Sequence, residues 1–143
     1  MTCNVNIHLT KTVNCSKATL KQVFLCDETL NTFFPYKITN LISRKTPQNL
    51  PTVGDLRLVS TLGISFVERI TESSDSKICY EIVGRFVLKC HRGEITLNQK
   101  QNHTQIDYVI SCQSPWFVPS VFVRWLIARD IKKGLDKLRK HYA

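Results

Sequence analysis

The chain has 143 residues, 43% hydrophobic and 22% charged, with 20 Lys or Arg against 11 Asp or Glu for a formal charge of +9. That size and apolar content fit a single domain over 1–143 with one core, and no run approaches the length needed to span a bilayer. Six cysteines without a CxxC pair argue against a zinc knuckle or a thioredoxin-like redox pair.

The opening MTCNVNIHLTKTVNC alternates polar and apolar residues and holds no apolar core of signal-peptide length, so a soluble, cytoplasmic protein with reduced thiols is expected. Val5, Ile7 and Leu9, with Lys11 and Val13 in phase, predict a strand from Asn4 to Val13. Ser16 stands as an N-cap before a short helix carrying Leu20, Val23 and Phe24. Asp27 or Thr29 caps a second helix that runs to Phe33 or Phe34, where Pro35 stops it. A strand over Lys37–Arg44 leads into TPQNLPTVG, a loop rich in breakers and a candidate gate. Strands are then predicted over Asp55–Ser60, Gly63–Thr71, Lys77–Leu88, His91–Gln99 and Thr104–Cys112, with short links that favour antiparallel hairpins.

Pro119–His141 closes the chain as a long amphipathic helix. Its predicted buried stripe runs through Phe117, Val121, Trp125 and Ala128 to Ile131, Leu135 and Leu138. From Arg124 to Ala143 there are seven Lys or Arg against two acids, so more than half the net charge sits here. This face suits phosphates, an anionic membrane surface or an acidic protein, or else is a solvated face whose cations complement the helix dipole. No aromatics are interleaved with the basic residues, and no nucleic-acid motif is present.

One strand, two short helices, six strands and a long C-terminal helix form an α+β order that resembles the helix-grip fold of the START-like superfamily, also called SRPBCC. The resemblance is to its polyketide cyclase/dehydrase and lipid-transport branch and covers nearly the whole chain. It rests on the Val13–Asp27 region followed by PYKITN, on Gly54-Asp55, on VERI at Val67–Ile70 and on YEIVG at Tyr80–Gly84. HTQIDYVISC leading into a terminal helix with GLDKL completes the set. The resemblance implies a curved antiparallel sheet of about seven strands gripping the last helix over a pocket for a small hydrophobic or lipid-like molecule. The oxygenase branch needs metal ligands and a Rieske domain that this sequence lacks, and no cofactor is expected.

Glu68 is the candidate catalytic carboxylate. It shares a strand face with Ile64, Phe66 and Ile70, so it either enters an apolar pocket with a raised pKa, turns outward at a bulge, or is neutralised by Arg57, Arg69 or Arg85. Tyr80 alternates with Ile78 and Ile82, and Tyr108 with Ile106 and Ile110, so both face inward and can bond a ligand or a core partner. The predicted ligand-binding residues on the strands are Phe66, Glu68, Tyr80, Ile82, Tyr108 and Ile110. Val121 and Trp125 are those of the helix.

Trp116, Phe117, Phe122 and Trp125 form either a pocket mouth or core, near Phe33, Phe34 and Tyr36. The histidines have no metal-ligand spacing; His8 and His91 read as exposed strand residues or polar pocket residues. Three functions follow: a carrier or sensor of a hydrophobic ligand, a cyclase or dehydratase using Glu68 or a tyrosine, and an interaction protein working through the basic helix.

Overall fold

Period-two alternation broken by turn-rich links resolves into seven strands. The computed structural model describes residues 3–41, 50–61, 63–84 and 86–143. The order is β1 (Val5–Val13), α1 (Lys17–Leu25), α2 (Asp27–Phe33), β2 (Lys37–Leu41), β3 (Leu56–Thr61), β4 (Ile64–Ser73), β5 (Lys77–Val83), β6 (Lys89–Lys100), β7 (His103–Gln113) and α3 (Ser120–His141). All pairings are antiparallel in one sheet ordered β1-β7-β6-β5-β4-β3-β2. Hairpin succession builds β2 to β7, and β1 returns to pair with β7, so β1 and β2 lie on opposite edges. The helical pair α1–α2 makes that crossing.

Ser16 Oγ accepts from the Thr19 amide at 3.2 Å and starts α1, which buries Leu20, Val23 and Phe24. The second helix has no side-chain cap; Cys26 takes the N-cap position and Asp27 is its first residue. Asp27 instead accepts from the Asn40 amide at 3.2 Å, while Asn40 Nδ2 donates to Leu25 O at 3.0 Å. Asn31 bonds both backbone groups of Ile38. Side-chain amides thus tie the helical pair to β2.

β5 ends at Val83, short of the predicted Leu88, because Gly84 turns left-handed at φ 80. Phe86 to Leu88 therefore leave the sheet before β6. The predicted strand residues 42–44 and the loop residues 46–49 lie outside the described residues. The end of that loop is pinned to β4, with the Gly54 amide donating to Ile70 O at 2.8 Å.

The C-terminal half of α3 follows the predicted stripe: Ile131, Leu135 and Leu138 are buried. In the N-terminal half only Ala128 of the predicted stripe packs on the core. Phe117, Val121 and Trp125 are exposed, while Val123 is buried and Ile127 packs on the core. At 3.6 residues per turn Trp125 lies about 120° around the helix from Ile131, whereas Ile127 lies about 40° from it. Large apolar residues on both flanks blurred the stripe, and the heavier flank is the wrong one. Gly134 sits under the Phe34 ring so closely that a Cβ would fall 1.9 Å from it. The helical pair thus meets the second half of α3, not the aromatic start expected to receive it. Among the described residues no helix is long and apolar enough to cross a membrane.

Candidate functional site

A cavity of about 360 Å³ lies between the inner sheet face and α3. Its polar side begins with two cross-strand neighbours, Arg57 on β3 and Glu68 on β4, which the register sets opposite each other. Both are buried, at 3% and 5% exposure. Arg57 Nη1 donates to Phe24 O at 2.9 Å, and its Nη2 lies 3.7 Å from Glu68 Oε2. Burial raises the Glu68 carboxyl above its ordinary pKa, and the Arg57 charge opposes that rise. The pair neutralises Glu68, which is the inward reading with Arg57 as partner. Arg69 pairs instead with Glu81, and Arg85 lies outside the described residues.

The Arg57 guanidinium also rests over the Tyr80 ring, 5.4 Å from its centroid. Tyr80 is on β5 and Tyr108 on β7, with β6 between them. Opposite Tyr80 stands Gly93, where a Cβ would lie 2.2 Å from the tyrosine Cζ. Only a residue without a side chain lets the ring lie across β6. The two hydroxyls then share a hydrogen bond of 2.5 Å. Burial raises the pKa of both tyrosines, so both stay protonated at neutral pH.

His91 stacks near Tyr80 with ring centroids 6.4 Å apart. Burial lowers its pKa to about 4, leaving a neutral imidazole. Arg57 Nε, Glu68 Oε2 and His91 Nδ1 are buried without a hydrogen-bond partner. These three side chains all line the cavity. The rest of the lining is mostly apolar, with Phe24 and Leu30 from the helical pair, Ile82 and Ile110 from the sheet, and Ile127 and Ile131 from α3; Tyr36, Thr61 and Asp130 are its remaining polar members. Phe66 packs on Phe86 at 4.7 Å. Ile64, Val87 and Phe122 line the cavity while more than half exposed, so they mark its mouth.

Six of the predicted ligand-binding positions, Phe66, Glu68, Tyr80, Ile82, Tyr108 and Ile110, line this one cavity. Val121 and Trp125 do not; they are 78% and 54% exposed, with Trp125 under the Arg129 guanidinium at 5.0 Å. The misplacement is the rotated phase of α3, and Val123 and Ile127 take the inward positions. Arg57 and Tyr36 are lining residues that were not singled out for the ligand, and His91, read as either an exposed or a polar pocket residue, lines the cavity as well. Strand phase carried the signal for two of them, since Arg57 is in register with Val59 and His91 with Ile95. His8 is exposed on the outer face, 3.2 Å from Asp107. No cluster of His, Cys, Asp or Glu among the described residues could hold a metal ion.

No family model matches the chain, and no curated protein matches it in sequence. Solved structures do match its fold. A START superfamily protein from Mycobacterium smegmatis aligns with a TM-score of 0.74 at 13% identity, covering 96% of each chain. XoxI from Bacillus cereus aligns at 0.72 and 16% identity, over 96% of this chain and 95% of that one. Ara h 8.0201 aligns at 0.72 and 12% identity, over 96% of both. With the seven-stranded antiparallel sheet, the helical pair after the first strand and the long last helix, these alignments identify the fold of this chain as START-like, the helix grip of SRPBCC proteins.

Proposed function

We propose that this protein is a cytoplasmic carrier or sensor that binds a small hydrophobic molecule in the cavity beneath α3. The observation that carries the reading is the cavity itself, apolar on most sides, with a few converging polar groups on one side. At about 30 Å³ for each water-sized group, 360 Å³ holds on the order of twelve such groups. That favours a compact ligand over a two-chain phospholipid. Release of water from apolar surfaces drives binding, and Ile64, Val87 and Phe122 frame the way in. The partner Arg57 offers Glu68 makes it a binding group rather than a free proton carrier, which favours carriage over cyclase or dehydratase chemistry. Native mass spectrometry of gently purified protein, followed by organic extraction, tests the reading. A stoichiometric apolar compound is the expected result. A bare mass with no uptake from a mixture of small apolar compounds removes it.

A second reading concerns the surface. Trp116 is 95% exposed, and Phe117, Val121, Phe122 and Trp125, just before and at the start of α3, are each more than half exposed, with Phe122 at the cavity mouth. Isolated exposed apolar residues are ordinary, but a cluster that reaches a cavity mouth marks a contact surface. With the basic residues farther along α3 it suits an anionic membrane surface, from which an apolar ligand passes without crossing water. An acidic protein is the competing partner for the same cations.

A further inference from the structure

The polar side of the cavity holds hydrogen-bonding capacity that the fold leaves unspent. Arg57 uses Nη1 on Phe24 O and turns Nη2 toward Glu68, but Nε has no acceptor. Glu68 Oε2 has no hydrogen bond, because its 3.7 Å approach to Arg57 is too long for one. The Tyr80–Tyr108 pair has two hydroxyl hydrogens and spends one on the bond between them, so one remains. The wall therefore presents surplus donors and a surplus acceptor together, all deeply buried. Unmet groups of this kind are costly in a native core and point to a partner that fills them.

We infer that the cavity is built for a compact apolar alcohol or phenol, seated with its hydroxyl beside Arg57, Glu68 and the tyrosine pair. This inference rests on the cavity reading and names its ligand class. A hydroxyl both donates and accepts, so it serves Glu68 and a donor at once. A carbonyl accepts only and leaves Glu68 unserved. A carboxylate meets the Glu68 side chain, and an ammonium meets the Arg57 guanidinium; either brings a further charge beside the buried Arg57–Glu68 pair, whose two charges already offset each other. A plain hydrocarbon leaves every group unpaired.

The test is calorimetric titration of the wild-type protein with compounds of one skeleton: butylbenzene, 4-butylphenol, 4-butylacetophenone and 4-butylbenzoate. The phenol is expected to bind roughly tenfold tighter than butylbenzene, although water holds the phenol better, with the ketone between them and the benzoate weakest. An Arg57→Met/Glu68→Leu double variant leaves no buried charge and is expected to prefer butylbenzene. Butylbenzene or the ketone binding wild type as tightly as the phenol overturns the hydroxyl assignment while leaving the cavity reading intact. Benzoate binding at least as tightly as the phenol overturns the neutral-ligand argument in the same way. Failure of every probe to bind removes both readings together.

Discussion

At the residue scale the buried pair Arg57–Glu68 sets most of the energetics of the site. Glu68→Leu leaves a guanidinium that cannot shed its proton, so we expect a loss of about 3–5 kcal/mol in urea unfolding at pH 7. Arg57→Met is expected to cost less, because the carboxyl it strands already has a raised pKa and can take up a proton. The double variant should be more stable than Glu68→Leu alone; equal losses in all three proteins would sink the account. His91 adds a pH dependence of known sign. Its folded pKa of about 4 lies below the ordinary 6.5, so between those values the unfolded chain binds a proton that the folded chain refuses. Its neutral form thus supports the fold above pH 6.5, and the protein loses up to roughly 3 kcal/mol as pH falls toward 4. Stability measured across that range should decline more steeply for wild type than for His91→Phe, and parallel curves would contradict the assignment.

At the element scale two close approaches decide where ring side chains lie. Gly134 costs α3 about 1 kcal/mol relative to Ala in helix propensity. A methyl there would nonetheless strike Phe34, and overpacking of a core costs about 1–3 kcal/mol. Gly134→Ala is therefore expected to destabilise the protein in spite of the better helix former, and Phe34→Leu in the same chain should restore part of the loss. A stabilised single variant in thermal unfolding would mean that α3 does not press on Phe34. Gly93 does the same for the sheet: it makes room for Tyr80 to bridge β5 and β7. Period-two alternation made Tyr80 and Tyr108 legible as inward residues, but it says nothing of a bond between strands that are not neighbours. The last helix was legible in extent and only half legible in phase, because exposed Val121 and Trp125 look as apolar as buried Val123 and Ile127.

At the scale of the whole molecule, exposed apolar residues gather at the start of α3 and the basic residues continue from there to its end. Exposed cations act over a Debye length of about 8 Å at physiological salt, so their attraction fades as salt rises, while insertion of aromatic rings persists. Co-sedimentation with phosphatidylglycerol vesicles is expected to exceed that with phosphatidylcholine vesicles, to weaken at high salt, and to fall further in a Trp116→Ala/Trp125→Ala variant. Equal binding by that variant would separate the aromatic rim from membrane contact and leave the basic face to an acidic protein.

The sequence by itself determined the succession of strands and helices, the antiparallel hairpins and the inward phase of Phe66, Glu68, Tyr80 and Tyr108, because these are local consequences of side-chain period and turn chemistry. It also determined the resemblance to the helix grip, since the order of elements is a one-dimensional property. Only the tertiary structure decided that Arg57 is the partner of Glu68, that His91 is a pocket residue, and which side of α3 faces the cavity. Those facts depend on register between strands and on the rotation of a helix against a sheet. Neither leaves a local mark when both flanks are apolar, and in each case distant backbones had to meet before the side chain acquired its surroundings.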